Sequence, residues 1–315
     1  MMKFEGIIPP VITPFNDDFS VDEAGYATMI EYMIDKGVHA IIVGGTTGEY
    51  YALTREERVR QFQFASEVIA GRVPMVAGVN DARTEDAAAL GVAAREAGAD
   101  GLLIAAPYYS LPAEEELVEH CLEVDAAAGL PIMLYNYPGR TGVWMGETFL
   151  DGVAGHANFK CIKEASGDID RVHLLALQYP DIELSCGAED QALEFFVWGA
   201  TSWVTPMGNF IAEEVVAFYD TCTRDGDFAK ARRMMAALMP LTTALERGGK
   251  FLQCTKFACA FNGLPAGPVR KPMRPMSEAL EQEMRDVLQT AKSALQAILS
   301  GEGADQPHVR LVDQG

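Results

Sequence analysis

Two side chains with the capacity for covalent and proton-transfer chemistry each close a short apolar run. Lys163 lies near the end of Phe159-Lys-Cys-Ile-Lys-Glu-Ala-Ser-Gly-Asp168, and Tyr135 ends Pro131-Ile-Met-Leu-Tyr135. Both runs read as buried strands, and Ser-Gly-Asp punctuates the first. Strand side chains alternate, so Phe159, Cys161 and Lys163 are expected on one face and Lys160, Ile162 and Glu164 on the other. An amine held among apolar groups, away from the adjacent carboxylate, is a candidate nucleophile because desolvation lowers its pKa. Bringing a lysine from about 10.4 to about 7–8 takes about 3–5 kcal/mol of differential solvation. The competing reading is a strand-end lysine that merely reaches solvent.

The elements that would position these groups follow a repeated beat. A helix over 22–35 leads to the apolar run 38–43, and helices near 55–70, 85–96 and 113–127 precede runs at 74–79, 100–105 and 131–136. Shorter helices near 146–154, 169–178 and 191–198 precede runs at 158–163, 181–186 and 201–205. With a proline-punctuated strand at 6–15, this makes eight strand–helix units in about 220 residues, which predicts an α/β (β/α)8 barrel. Three helix-to-strand joints begin with glycine, at Gly37, Gly98 and Gly199, where a left-handed residue fits a helix end. Beyond about residue 210 the strands stop. Helices at 210–223, 227–247, 250–262 and 276–299 are expected, the first completing the barrel. The division is a catalytic barrel over 1–224, a C-terminal helical extension over 225–300 and a polar tail over 301–315.

Catalytic groups of such barrels project from the C-terminal strand ends. Twenty-eight residues, one strand–helix unit, separate Tyr135 from Lys163, so the two are expected on adjacent strands about 5 Å apart. Tyr135 could then exchange protons with chemistry at the lysine nitrogen. Gly44-Gly-Thr-Thr-Gly48 follows the second strand and offers backbone N–H groups and hydroxyls to an anion, or is an ordinary tight turn. Arg140 follows the fifth strand, at the same end of the barrel.

Composition narrows the partners. Twenty-five Lys and Arg against 45 Asp and Glu give a net charge of −20, which disfavours nucleic acid and anionic membrane surfaces. At 49% hydrophobic residues the chain can fill a core, and no apolar run is long enough to span a bilayer. No signal peptide is visible. Six cysteines without a C-x-x-C pair are expected reduced and mostly buried, consistent with a cytoplasmic protein. The five histidines, His120 and His173 among them, lack zinc-site spacing, so no metal site is expected. The glycines fit neither a dinucleotide fingerprint nor a phosphate loop, which weighs against a nicotinamide-dependent oxidoreductase. The presence of both Tyr135 and Lys163 weighs against a non-catalytic sensor.

Gly45-Thr-Thr-Gly-Glu49, Pro107-Tyr-Tyr109, Leu134-Tyr-Asn-Tyr-Pro-Gly-Arg-Thr-Gly142, Ile162-Lys-Glu-Ala-Ser-Gly-Asp168 and Gly263-Leu-Pro-Ala-Gly-Pro-Val-Arg270 occur in this order. Together they resemble the dihydrodipicolinate synthase / N-acetylneuraminate lyase family of class I aldolase-type lyases. The resemblance implies an imine between Lys163 and pyruvate or a related 2-oxo acid, with no cofactor. It implies Tyr135 as general acid/base, Thr46 linking Tyr135 to Tyr109, and Tyr109 reaching in from a neighbouring subunit of a dimer or tetramer. The backbone N–H groups of Thr46 and Thr47 would hold the substrate carboxylate, with the carbonyl near Ser202 at the pocket wall. Arg140 would hold the carboxylate of a second substrate, which favours a synthase acting on an aldehyde such as aspartate semialdehyde over a sialic-acid lyase. Tyr50-Tyr51 and Gln253-Cys-Thr-Lys256 depart from the synthase pattern. These departures suit a catabolic relative, such as a 1-pyrroline-4-hydroxy-2-carboxylate deaminase or a 2-keto-3-deoxy sugar-acid aldolase or dehydratase.

Overall fold

The chain, described for residues 2–247 and 249–301 in a computed structural model, builds eight parallel strands. They are β1 (Gly6–Ile7), β2 (Ile41–Val43), β3 (Met75–Gly78), β4 (Gly101–Ala105), β5 (Ile132–Asn136), β6 (Phe159–Glu164), β7 (Glu183–Cys186) and β8 (Ser202–Trp203). Outside them lie α1 (Glu23–Asp35), α2 (Arg55–Ile69), α3 (Thr84–Glu96), α4 (Glu114–Ala128), α5 (Pro138–Thr141), α6 (Glu147–Val153), α7 (Ile169–Gln178), α8 (Ala192–Val197) and α9 (Ala212–Thr223). Three more helices, α10 (Phe228–Arg247), α11 (Phe251–Phe261) and α12 (Glu278–Leu299), follow the last strand. Beyond Gly301, the tail read from the sequence lies outside the described residues.

The strands pair in the order β1-β8-β7-β6-β5-β4-β3-β2. The remaining edges meet through Pro9–Val11: Ile42 N–H donates to Pro9 O at 3.0 Å, and Val11 N–H donates to Ile42 O at 3.0 Å. This completes the (β/α)8 barrel. The expected strand at 6–15 shrinks to two residues plus this bridge because Pro9 and Pro10 have no N–H to donate. Gly37, Gly98 and Gly199 take φ of +81°, +90° and +85°, the left-handed values that the helix-to-strand joints require.

Apolar side chains sort into two layers. Ile132, Leu134 and Ile162 pack outward against the helices, whereas Met133, Tyr135 and Cys161 face the barrel interior with Ile8, Ile42 and Val204. Phe159 differs from the sequence reading. The β5–β6 register slips between Ile132 and Met133, so Ile132 pairs with Phe159 but Met133 pairs with Cys161. Lys160 is the extra residue, the alternation breaks there, and Phe159 packs with the outer layer instead of beside Lys163.

Asn209 locks the closure. Fully buried, it accepts from Ile12 N–H at 2.9 Å and donates to Pro10 O and Pro206 O, both at 2.9 Å. Asn209→Leu strands one donor and two acceptors, and is expected to cost about 2–4 kcal/mol by urea unfolding. A midpoint unchanged from the parent would show that the closure stands without it.

Candidate active site

Register places the two reactive candidates side by side. Tyr135 pairs with Lys163 across β5 and β6, and Lys163 pairs with Ser185 across β6 and β7. The Lys163 ammonium nitrogen lies 4.0 Å from the centroid of the Tyr135 ring. Lys163 is 8% exposed and Tyr135 7%, so the strand-end lysine does not extend into solvent. Burial lowers the Lys163 pKa to about 8, against the opposing pull of Glu189 and Glu246, and the same burial pushes the Tyr135 phenol up.

The alternation of β6 sends Glu164 the other way. Its carboxylate is buried between β6 and the helices, where it accepts from Asn136 Nδ2 at 2.8 Å and Ser166 N–H at 2.7 Å and faces Arg171 Nε at 3.5 Å. Arg171 in turn donates to Met145 O at 2.7 Å. The adjacent carboxylate is therefore satisfied away from the lysine, as the sequence reading required.

Gly187, at the end of β7, makes room for the amine. A Cβ there would lie 2.8 Å from Lys163 Cγ and 2.9 Å from both Ala165 Cβ and Glu164 O. Because the other two neighbours are a backbone oxygen and a Cβ, neither of which can swing aside, Gly187→Ala must displace Lys163. It is expected to lower kcat/KM by about tenfold or more with little loss of secondary structure by circular dichroism. Retained activity would mean that the lysine tolerates a second position.

Around these residues a narrow cavity opens, lined by Thr46, Thr47, Tyr135, Arg140, Lys163 and Glu189, with Gly187, Val204, Pro206, Glu246 and Phe251 completing the wall. The Gly44–Gly48 turn forms a single 3₁₀ turn over Thr46–Gly48. Gly48 N–H and Glu49 N–H close it on Gly45 O and Thr46 O, which leaves the N–H groups of Thr46 and Thr47 outside the turn's own bonds. Arg140 stands at the rim on α5, a helical turn the strand–helix beat did not foresee. Pro138 starts this turn and Gly142, at φ +72°, stops it. The guanidinium lies over Tyr137 at 5.4 Å and Phe251 at 5.8 Å.

Two sequence-selected residues fall outside the cavity. Ser202 is fully buried within β8, and Val204 and Pro206 from the same segment line the wall instead. Tyr109 is 96% exposed at φ +75° and does not line its own chain's cavity. Tyr50 and Tyr51 pack edge-on with each other, and Tyr50 lies beneath Arg58 rather than in the cavity. His120 is buried with Nδ1 3.0 Å from Thr84 Oγ1, and His173 packs on Trp198. The six cysteines are free and buried. Among the described residues no cluster of three His, Cys, Asp or Glu is placed to hold a metal, and no helix is long and apolar enough to cross a membrane.

The sequence reading missed Glu189 and Glu246. Glu189 lies three residues past β7, at the same barrel face as Lys163, and that position was the available signal. Its carboxylate accepts from Thr205 Oγ1 at 2.6 Å, while burial and the nearby Glu246 raise its pKa. Glu246, also raised by desolvation, comes from the end of α10 and had no local marker.

The model of the dihydrodipicolinate synthetase family matches residues 3–291. The 4-hydroxy-tetrahydrodipicolinate synthase of Methanoculleus marisnigri is 38% identical over 289 residues, covering 90% of this chain and 98% of the relative. The solved 4-hydroxy-tetrahydrodipicolinate synthase of Methylacidiphilum fumariolicum superimposes with a TM-score of 0.89 at 29% identity, over 95% of this chain and 99% of that one. YagE, a prophage protein of the dihydrodipicolinic acid synthase family from E. coli K12 solved with pyruvate, gives 0.87 at 29% identity, over 92% and 99%. Barrel, motif order and relatives converge: the chain belongs to the dihydrodipicolinate synthetase family and is a lyase of the Schiff-base, aldolase type.

Proposed function

We propose that the chain condenses pyruvate with an aldehyde such as aspartate semialdehyde through an imine on Lys163. The observation that carries this reading is the in-register pair of Tyr135 and Lys163, with the amine 4.0 Å from the phenol ring and both nearly closed to water. The neutral amine attacks the ketone carbon of pyruvate to give a carbinolamine. Tyr135 supplies the proton that lets hydroxide leave as water, so that the imine forms. The phenolate left on Tyr135 takes a methyl proton to give the enamine, which attacks the aldehyde carbon and forms the carbon–carbon bond while Tyr135 returns the proton to the aldehyde oxygen; water then releases the product and restores the lysine. The free N–H groups of Thr46 and Thr47 suit the pyruvate carboxylate, and Arg140 suits a carboxylate on the second substrate. Tyr109, exposed on its own chain, fits the role of a group lent to Thr46 and Tyr135 of a neighbouring copy, which makes a homodimer or homotetramer the working unit.

The solved relative carrying pyruvate and the synthases among the relatives support this substrate pair. One observation favours a second reading. Glu189 and Glu246 bring two carboxyl groups into the cavity with Arg140, a setting that also suits a hydroxylated 2-oxo acid undergoing cleavage, dehydration or deamination. A substrate panel separates the two. Turnover of pyruvate with aspartate semialdehyde supports the synthase, whereas turnover only of 1-pyrroline-4-hydroxy-2-carboxylate or a 2-keto-3-deoxy acid supports the catabolic reading.

Two kinetic signatures follow from the geometry. Only the neutral amine attacks, so the rate of imine formation is expected to rise through pH of about 8 and level off above it. A rate flat from pH 6 to 10 would exclude this titration. Tyr135→Phe is expected to lower kcat by about 10²–10⁴-fold while pyruvate still binds, measured in single-turnover assays. Undiminished kcat would remove Tyr135 from proton transfer.

A further inference from the structure

The turn that supplies Thr46 and Thr47 ends in a residue whose conformation needs an outside hold. Glu49 takes φ +58° and ψ +33°, a left-handed geometry that costs a side-chain-bearing residue roughly 1 kcal/mol. Its carboxylate is fully buried, where a charge without partners is strongly disfavoured. The partners come from the far end of the chain. Lys256 Nζ on α11 lies 2.7 Å from Glu49 Oε1, and Arg270 N–H donates to Glu49 Oε2 at 2.9 Å. Lys256 is itself fixed, donating to Pro268 O at 2.7 Å above the Phe15 ring at 4.4 Å. Arg270 covers the same ring at 4.3 Å and pairs with Glu57 at 2.6 Å, so two cations and two carboxylates balance one another.

A second hold acts one residue earlier. Thr13 Oγ1 donates to Gly48 O at 2.6 Å and accepts from Gln61 Nε2 at 2.8 Å. The turn is thus gripped at Gly48 by the barrel and at Glu49 by the C-terminal helices. Only the second grip is ionic.

We propose that Lys256 is a positioning residue for substrate: its ion pair with Glu49 fixes the Thr46–Thr47 turn, and so sets the affinity for the pyruvate carboxylate without touching the reacting atoms. This rests on the reading of Lys163 and the turn given above. Lys256 does not line the cavity, and it lies on α11 rather than on the strands that pair Tyr135 with Lys163. The effect therefore falls on binding more than on chemistry. Breaking one partner of a buried pair also leaves the Glu49 carboxylate uncompensated, which favours movement of the turn over a silent loss.

The test is borohydride trapping of the full-length protein at increasing pyruvate, comparing wild type with Lys256→Met, which keeps the length of the side chain and removes its charge. The expected result is a half-saturating pyruvate concentration raised about tenfold, with the same trapped fraction at saturation. An unchanged half-saturation overturns the proposal, as does a lower plateau at unchanged half-saturation, which would place the damage at Lys163. A wild type that traps no pyruvate overturns the reading of Lys163 and this proposal with it, a different outcome from either of those. Should Lys256→Met not fold, Lys256→Ala is assayed with propylammonium, which replaces the lost atoms and can enter from the surface groove that reaches Lys256 between Phe257 and Pro268. Recovery of pyruvate affinity by propylammonium but not by 1-propanol supports the proposal. Equal effects, or none, overturn it.

Discussion

An amine kept out of water beside a phenol is the constraint on which the rest of this site depends. Bringing the Lys163 pKa from 10.5 to about 8 corresponds to about 3–4 kcal/mol of differential solvation, and it survives only if no carboxylate pairs closely with the amine. Strand alternation turns Glu164 to the opposite face, where Asn136 and Arg171 satisfy it. Gly187 leaves the space in which the lysine stem lies. Glu189, the carboxylate with the largest opposing pull on Lys163, is bonded to Thr205 and biased towards its neutral form by burial. The arrangements at Glu164 and Glu189 limit the charge that would otherwise hold the lysine protonated.

The second constraint concerns an anion in a protein of net charge −20. A basic surface is not the solution here. The turn after β2 offers backbone N–H groups and reserves its one acidic side chain, Glu49, for a buried contact with Lys256, neither residue lining the cavity. The helices after the last strand are therefore part of the site's architecture. They also place Phe251 and Glu246 at the cavity wall, beside the rim guanidinium of Arg140. Pro10, near the start of the chain, and Phe251, from the helices after the last strand, meet at one barrel mouth.

Local and periodic features of this architecture were legible in the sequence. The strand–helix beat and the helix-ending glycines carried the barrel, and one unit of spacing placed Tyr135 beside Lys163, as the register later matched. What escaped notice depends on long-range or single-residue geometry. The slip at Lys160 that turns Phe159 outward leaves no mark on an apolar run. The resemblance implied a carbonyl near Ser202 at the wall; Ser202 itself sits inside the two-residue β8, and Val204, two positions on, lines the cavity. Glu49 with Lys256, and Glu246 with the cavity, are contacts between residues far apart in the chain, and no local propensity encodes them.

The central claim is that Lys163 is the amine that forms the imine, the other buried amine, Lys256, being held by Glu49 and Pro268. It is tested most directly by incubating the protein with pyruvate and borohydride, digesting it, and locating the reduced adduct by mass spectrometry. A single modified peptide carrying the adduct on Lys163 is the expected result, lost in Lys163→Ala. An adduct of undiminished yield on another barrel lysine, in either protein, would contradict it.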